Sequence, residues 1–592
     1  MKFPLHLLLA VLFTKITFAQ MPSGPEKIRI ERHKSIPMRD GVRLYGDVYL
    51  PDAPGKYPTL VTRTPYGVQR DGMHTSPIRY AQNGYAVVVV DARGRYESEG
   101  KWEPFRDEAK DGYDIVEWAA AQPFSNGKIG TYGGSYGGHN QWRTMGENPP
   151  HLVACFPSLA STNIFANWLT MGGAFRLSFN YGWGVVRMPD RIMLPQYWHT
   201  EAYAPEELKY ETILKHLPLG TGDLRSAGYP VSHYRDWLKH ETYDEYWKAI
   251  SDEENFGKMT VPVYTLGGWF DIFLTGTING YVGMKNKAAT EAARKGTRMI
   301  IGPWGHGASR SFGDIDFTQD AMISQFETEL QYFDFHLKGI RNGLDQEKPV
   351  RIFYMGANRW RSEDDWPIPG TTYQPFYLDG GSKANTLTGD GRLSFNKPVT
   401  LIQNTFRYDP ENPVMTLGGN NCCGTPTPAG PKDQRSIEQR SDVLVYTSEV
   451  LQKPLTVAGN IRMKLFAATD GPDTDWMIKL TDVAPDGSSY PVSEGILRAR
   501  FREGLDKIRL LQPNEVYAYD IEMTATANVF KPGHRVRVDI TSSNFPQFDR
   551  NLNTGEPLAT AVKIRVASQT VYHGGNRSSA IILPVVAPLD NR

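Results

Sequence analysis

The pattern of hydrophobic and polar positions changes three times along the 592-residue chain. From about residue 28 to 91, the first segments alternate between hydrophobic and polar residues, whereas later ones such as AVVVVDARG are continuously apolar. This change is typical of a sheet that passes from a half-exposed antiparallel edge into a parallel centre covered by helices. The amphipathic segment DEAKDGYDIVEWAAAQ then predicts a helix, and KIGTYG predicts the next strand.

The rest of the chain divides into a helical segment, further buried strands and a β-rich end. Residues 160–255 are rich in aromatic side chains without a strong strand pattern, which indicates helices inserted into the sheet topology as a cap. The apolar segments VPVYTLGG and RMIIGPWGHG resume the sheet. From about residue 350, short alternating segments separated by Gly, Pro and Asp predict a jelly roll or related β-sandwich. The sequence therefore predicts an α/β catalytic domain at 20–345 and a β domain at 350–592.

One serine lies between two pairs of glycines in the stretch KIGTYGGSYGGHNQW. In a G-x-S-x-G pattern, the serine is presented on a sharp strand-to-helix turn, and small residues two positions away avoid clashes. Gly133, Ser135 and Gly137 occupy these positions. A flexible linker is the weaker interpretation, because a strand precedes the turn and HNQWRTMGEN can form a helix after it. We therefore predict that Ser135 is a catalytic nucleophile.

Two later strand ends carry the residues that would activate such a serine. In this arrangement an acid and then a histidine follow the serine along the chain, each in a loop after a later strand. Asp271 follows VPVYTLGG, and His306 follows RMIIGPWG. Asp271 alone could be a helix cap, and His306 alone could be one of 13 unremarkable histidines. Because both occur in the required order and place, we predict a Ser135–His306–Asp271 triad.

Acyl transfer also needs hydrogen-bond donors for the negatively charged oxygen of the tetrahedral intermediate. The backbone N–H of Tyr136, directly after the nucleophile, is one predicted donor. The second donor is expected in the loop after an early strand, where TLVTRTPYG contains Tyr66. Its phenolic O–H could complete the oxyanion hole, although Tyr66 could also be an ordinary aromatic residue at a proline-containing turn.

Several motifs together resemble a known family of serine hydrolases. RTPYG, GGSYGG followed by QW, GWFD, IGPWGH and ITSSNFPQFDRN occur in order and span nearly the whole mature chain. They resemble the family that includes cocaine esterase, α-amino-acid ester hydrolases and X-Pro dipeptidyl-peptidases. The resemblance implies an α/β-hydrolase domain with a helical cap and a C-terminal jelly roll. It also implies the roles already assigned to the five residues Ser135, Asp271, His306, Tyr66 and Tyr136.

One departure from the family concerns recognition of an amine. The resemblance to α-amino-acid ester hydrolases implies a carboxylate just after the nucleophile, but Ser135 is followed by YGGHN, which contains no acid. His139 is expected to pack behind the turn rather than to act in catalysis. Four tryptophans could line an acyl pocket, although aromatic residues at such places are more often core: Trp142, Trp168, Trp269 and Trp304.

Charge and the N-terminus restrict the partners of the protein. The formal net charge is zero and the pI is about 7.2, with no long Lys/Arg run, so nucleic acid is an unexpected partner. Residues 1–19 combine an early lysine, an apolar run and a small residue, which predicts a signal peptide and export to the periplasm or the medium. The run is too short for a membrane span of ~20 residues.

The three cysteines do not form a disulfide framework, and no metal motif is present in the sequence. Cys155 is expected to be a small buried residue. The neighbours Cys422 and Cys423 could form a vicinal disulfide or remain thiols, and the sequence leaves both alternatives open. Neither a cofactor nor a metal is predicted to take part in the reaction.

These observations predict an exported serine hydrolase that cleaves an ester or amide bond of a small molecule, most simply an esterase. A peptidase of the X-Pro type and a β-lactam-type acylase remain as alternatives within the hydrolases. An alternative of another class is a secreted glycan-binding protein with an inert hydrolase domain. The acyl group, the leaving group and the oligomeric state are left open by the sequence.

Overall fold

The computed structural model describes residues 27–70, 72–188, 213–423 and 428–589. The predicted signal peptide, and residues 189–212 of the predicted cap, lie outside the described residues. Within the described ranges, none of the helices combines the length and the apolar character that crossing a membrane requires.

A ten-stranded sheet forms the centre of the N-terminal part, in the order β1-β2-β4-β3-β5-β6-β9-β10-β13-β14. Two short hairpins, β7–β8 and β11–β12, lie outside it. The strands are β1 Ile28–Pro37, β2 Arg43–Pro51, β3 Tyr57–Thr64, β4 Ala86–Asp91, β5 Ser125–Gly134, β6 Leu152–Ser158, β7 Thr170–Met171, β8 Ala174–Phe175, β9 Tyr264–Gly268, β10 Arg298–Gly302, β11 Ser311–Phe312, β12 Ile315–Asp316, β13 Val350–Tyr354 and β14 Arg359–Glu363.

The sheet changes from antiparallel to parallel as the hydrophobic pattern predicts. β1 pairs with β2, and β2 with β4, in antiparallel register, whereas β4, β3, β5, β6, β9, β10 and β13 form a parallel array. All six residues of β4 are buried, because helices cover both faces of the parallel region. The carboxyl ends of the parallel strands therefore meet at one edge of the sheet.

Most of the described helices belong to the N-terminal part, where several lie between β6 and β9, whereas the last α-helix and the last 3₁₀ turn belong to the C-terminal part. The α-helices are α1 Thr75–Gln82, α2 Glu108–Ala121, α3 Tyr136–Glu147, α4 Leu177–Tyr181, α5 Asp223–Ser226, α6 Ser232–Lys239, α7 Glu245–Lys248, α8 Leu274–Lys287, α9 Glu291–Gly296, α10 Gln325–Phe333 and α11 Arg435–Glu438. The π-helical segments are Ile164–Leu169, Gly182–Arg187 and Asp334–Lys338, and the 3₁₀ turns are Leu219–Thr221, Phe256–Lys258, Gln319–Ala321, Leu344–Gln346 and Ala499–Phe501.

One strand belongs to a different sheet from the one the sequence indicated. The sequence predicts that the β domain begins at 350, but β13 pairs in parallel with β10 of the first sheet, with Met299 opposite Val350. β14 then pairs with β13 in antiparallel register. A short alternating strand has the same pattern in either sheet, and only its long-range pairing distinguishes them. The first sheet therefore continues past residue 350 to Glu363.

The C-terminal part is β-rich. Its thirteen described strands form one hydrogen-bonded network, in which every pairing except the parallel contact of β16 with β18 is antiparallel. The strands are β15 Thr372–Gly380, β16 Gly391–Ser394, β17 Ile402–Tyr408, β18 Leu444–Ser448, β19 Leu455–Gly459, β20 Arg462–Thr469, β21 Asp475–Val483, β22 Ser489–Arg498, β23 Tyr517–Glu522, β24 Thr526–Phe530, β25 Arg535–Thr541, β26 Ala567–His573 and β27 Ala580–Val585.

Candidate active site

Ser135 lies on a strained turn between β5 and α3. Its backbone has φ 59° and ψ −124°, a region that a non-glycine residue rarely adopts. Its N–H donates to the carbonyl oxygen of Ser158 at 3.0 Å, which ties the turn to the end of the neighbouring strand β6. Such strain persists only when the surrounding structure fixes it, and it is common at functional sites.

The glycines around Ser135 leave room that a side chain would fill. Gly133 has φ 136°, and a Cβ there would come within 3.0 Å of a threonine hydroxyl of β3. A Cβ at Gly137 would lie 3.3 Å from the carbonyl oxygen of Arg63. Gly138 is more crowded, since its Cβ would approach a backbone oxygen of β6 to 2.8 Å. The close packing of α3 against two strands explains why glycines surround the serine.

Asp271 and His306 lie at the same edge of the sheet as Ser135. Asp271 follows β9, His306 follows β10, and both strands run parallel to β5. The Nδ1 atom of His306 lies 2.8 Å from Oδ1 of Asp271, whose side chain is fully buried. Because an ionised carboxylate only accepts, Nδ1 donates in this bond, and Nε2 of the neutral ring retains a lone pair.

Tyr66, which follows β3, accepts a hydrogen bond at its hydroxyl group. The donor is the indole N–H of Trp183, at 3.0 Å. Burial raises the pKa of Tyr66 above its usual value, although interactions with Trp183 and Ser135 oppose the effect. The phenol therefore stays protonated at neutral pH and can donate its own hydrogen.

The side chain of Tyr136 is directed into the core rather than toward the substrate. Its hydroxyl donates to Glu108 at 2.8 Å and accepts from the backbone N–H of Phe105 at 3.1 Å. Glu108 is also paired with Arg63 at 2.6 Å, and all of these side chains are buried. This arrangement fixes the first residue of α3, whose backbone N–H has no partner within its own helix.

His139 packs behind the turn, as its position in the sequence suggests. The ring is fully buried against Phe105, at a centroid distance of 5.0 Å, and its Nδ1 lies 3.2 Å from the carbonyl oxygen of Ser161. Burial and nearby Arg143 lower the pKa of His139 to about 3. A neutral, enclosed imidazole of this kind is suited to packing and not to proton transfer with a substrate.

Of the four tryptophans considered from the sequence, Trp168 belongs to the aromatic cluster at His306. It stacks on Phe273 at 4.5 Å, and Phe273 meets the His306 ring edge-on at 5.4 Å. Trp183 lies 5.1 Å from Trp168 and so connects this group to Tyr66. The other three tryptophans pack in separate core clusters: Trp142, Trp269 and Trp304.

Sequence reasoning missed two of these rings. Trp183 lies in the helical segment between β6 and β9, where no strand end marks a functional position. Phe273 stands two residues after Asp271, and its nearness in sequence was the available signal. The Cys422–Cys423 pair, for which the sequence leaves two alternatives open, forms a vicinal disulfide. Its position against the same aromatic cluster is not indicated by the sequence.

Comparison with known proteins shows which family the chain resembles along most of its length. Residues 40–308 match the family described as X-Pro dipeptidyl-peptidase (S15 family), and residues 342–582 match its C-terminal non-catalytic domain. The chain is 36% identical to cocaine esterase of a Rhodococcus strain over 93% of this chain and 97% of that protein.

Two solved structures have a similar fold over almost the whole chain. An aminopeptidase from a marine sediment archaeon of the Thaumarchaeota has a TM-score of 0.81 at 26% identity, covering 97% of this chain and 100% of that one. An α-amino-acid ester hydrolase has a TM-score of 0.76 at 26% identity, covering 97% of this chain and 99% of that one. The chain therefore belongs to the X-Pro dipeptidyl-peptidase (S15) family of serine hydrolases, which also contains esterases.

Proposed function

We propose that this serine hydrolase cleaves carboxylic esters through a covalent acyl-enzyme formed on Ser135. The observation that carries this proposal is the His306–Asp271 hydrogen bond of 2.8 Å, located at the sheet edge where Ser135 occupies its strained turn. A serine needs a base to become a nucleophile, and the base needs an acceptor that fixes its tautomer. Asp271 holds the proton on Nδ1, so Nε2 is the atom that accepts the serine proton.

The proposed reaction has two halves that use the same groups. The Ser135 oxygen attacks the ester carbonyl while His306 takes its proton, and the imidazolium then gives that proton to the departing alcohol. Water attacks the acyl-enzyme in the second half, again with His306 as base. In both halves the Tyr66 O–H and the Tyr136 backbone N–H donate to the oxygen that becomes negatively charged.

The aromatic cluster supports a substrate with an aromatic or bulky hydrophobic acyl group. Phe273, Trp168 and Trp183 form a connected group of rings that runs from His306 to Tyr66. Aromatic rings attract one another in stacked or edge-to-face arrangements, which favours an aryl group over a charged one. The similarity to cocaine esterase supports the same substrate class.

An X-Pro dipeptidyl-peptidase is the second candidate function. The family description and the similarity to an aminopeptidase structure favour it. Peptidases of this kind must hold a free α-ammonium group, which requires an acceptor such as a carboxylate. The residues YGGHN after Ser135 offer none, and the carboxylate of Glu108 is already used by Arg63 and Tyr136. We therefore prefer the esterase.

A substrate panel separates the two candidates. Purified protein would be assayed with p-nitrophenyl acetate, butyrate and benzoate, and with X-Pro p-nitroanilides, beside the Ser135→Ala variant. We expect the highest kcat/KM with the benzoate, and loss of both turnover and fluorophosphonate labelling in the variant. Faster cleavage of the anilides would favour the peptidase. Turnover in wild type without labelling of Ser135 would reject the proposed nucleophile.

Two finer features belong to the same proposal. We propose that the C-terminal domain is a jelly roll, which its thirteen described and almost entirely antiparallel strands support. We also propose that residues 1–19 are a signal peptide and that the protein is exported. The disulfide supports export, since such bonds persist mainly in oxidising compartments. N-terminal sequencing of the protein from the producing cells would test this, because an intact N-terminus would contradict it.

A further inference from the structure

The vicinal disulfide lies beside the histidine that the proposed reaction uses as its base. The two sulfur atoms of Cys422 and Cys423 and a ring nitrogen of His306 all lie within 4.8 Å of one another. Cys422 is buried and Cys423 is partly buried, both against the aromatic cluster of the site. Two sulfurs and an imidazole nitrogen so close together form a set of metal-ligand atoms.

The loop that carries the cysteines is attached directly to the site. The side-chain amide of Asn420 donates to the carbonyl oxygens of Trp269 and Asp271, each at 3.0 Å. The backbone N–H of Asn420 donates to buried Glu494 at 2.9 Å. These bonds do not involve the sulfur atoms, so we expect the loop to keep the cysteines beside His306 whether or not they are oxidised.

Reduction would convert this pair into metal ligands. A dithiol breaks the S–S bond by thiol–disulfide exchange, gives two electrons and two protons to Cys422 and Cys423, and is itself oxidised to a disulfide. A divalent cation can then replace both thiol protons, which are released to the buffer. Thiolate and imidazole ligands together select cations such as Zn²⁺, Co²⁺ and Cd²⁺.

The geometry requires only small side-chain movements. Zinc binds thiolate sulfur at about 2.3 Å and imidazole nitrogen at about 2.0–2.1 Å, so tetrahedral ligand atoms stand roughly 3.6–3.8 Å apart. The two sulfur atoms and one of the two ring nitrogens of His306 are already within 4.8 Å of one another. Nδ1 of His306 is engaged with Asp271, which leaves Nε2 for the metal. A water molecule can supply the fourth ligand.

We propose that reduced Cys422 and Cys423 form, with Nε2 of His306, a site for a thiophilic divalent cation, and that the occupied site is catalytically inactive. The inactivity rests on the proposed function, because the metal takes the lone pair that must accept the Ser135 proton. The binding itself does not depend on that function. The disulfide thus makes the enzyme resistant to such metals, and reduction makes it sensitive.

Cobalt binding tests the site without reference to activity. Full-length protein, oxidised or reduced with a dithiol that is then removed under nitrogen, would be titrated with Co²⁺ and followed by absorption. We expect one cobalt per chain, with a thiolate-to-cobalt charge-transfer band, in the reduced protein only. The band should disappear in Cys422→Ser and in Cys423→Ser, and should persist in the Cys155→Ser control, whose buried thiol lies in β6.

The histidine and the inhibition are tested separately. His306→Ala should weaken cobalt binding while retaining the thiolate band, whereas Ser135→Ala should bind like wild type, so that an inactive chain still reports on the site. In active protein, Zn²⁺ should abolish ester turnover only after reduction, and EDTA should restore it.

Several results would overturn the proposal. One is a reduced protein that shows no thiolate band while thermal unfolding shows it to be folded. Another is equal zinc inhibition of the oxidised and reduced forms. Unchanged cobalt affinity in His306→Ala would remove the histidine from the site. If no substrate is turned over but reduced Ser135→Ala shows the band, the proposed function fails and the metal site stands.

Discussion

Replacing Tyr66 by phenylalanine removes one hydroxyl at the centre of the site. In the proposed mechanism this group donates to the oxyanion, while its oxygen accepts the indole N–H of Trp183 at 3.0 Å. Burial raises the pKa of Tyr66, so the wild-type phenol is a donor throughout the neutral range. The substitution keeps the ring and therefore tests the O–H alone.

The expected loss of turnover follows from the role of the Tyr66 O–H as a donor to the oxyanion. Removal of one oxyanion donor typically costs about 3 kcal/mol of transition-state stabilisation, or roughly 10²-fold in kcat. KM should change little, because the donor acts where charge develops and not on the ground state. The unpaired indole N–H of Trp183 should also lower the free energy of unfolding by about 1–3 kcal/mol.

The assay is steady-state hydrolysis of p-nitrophenyl benzoate, with unfolding in urea as the measure of stability. Trp183→Phe is the matched control, since it removes the other end of the same hydrogen bond and leaves the Tyr66 O–H in place. We expect this control to retain most of kcat. A Tyr66→Phe enzyme with wild-type kcat would refute the assignment, as would an effect confined to KM.

Three further predictions concern the packing and charge around the site. Gly138→Ala forces a Cβ to within 2.8 Å of a backbone oxygen and should lower the free energy of unfolding by about 1–3 kcal/mol. The control is Gly146→Ala on the same helix, where the new Cβ meets nothing closer than 3.7 Å, and equal urea midpoints for the two variants would contradict the prediction. Glu108→Ala leaves a buried guanidinium without its carboxylate partner and should lower the free energy of unfolding by about 3–5 kcal/mol. Glu327→Ala, which breaks an exposed ion pair, should lower it by less than about 1 kcal/mol, and similar losses in the two variants would contradict the prediction. Burial raises the pKa of Asp91 to about 8, so the folded state holds a proton that the unfolded chain releases above about pH 4. The free energy of unfolding of the wild type should therefore fall toward pH 8 relative to that of Asp91→Asn, and parallel pH profiles of the two proteins would contradict the prediction.

Residues at strand ends were predictable because geometry constrains them. Parallel strands bring their carboxyl ends to one edge, so Ser135, Asp271 and His306 could be placed from order and spacing alone. Trp183 and the Cys422–Cys423 pair could not, because helical insertions and a distant loop bring them to the site through long-range packing. The sheet that the strand at 350–354 joins could not be predicted either, since a local pattern does not specify the pairing partner of a strand.

The β-rich domain is a structural part of the site, although its family description is non-catalytic. The backbone N–H of Phe175, in the insertion between the rings of Trp168 and Trp183, donates to the Asp549 carboxylate at 2.9 Å. Arg498 holds that carboxylate at 2.8 Å, and all three residues are buried. Arg498 is itself held by a bidentate pair with buried Asp475, at 2.9 Å for each bond. Loss of the Asp549 carboxylate would leave the buried backbone N–H of Phe175 without its acceptor, so this contact fixes the insertion against the β-rich domain. The insertion that carries the aromatic rings of the site is therefore fixed by contacts with both domains.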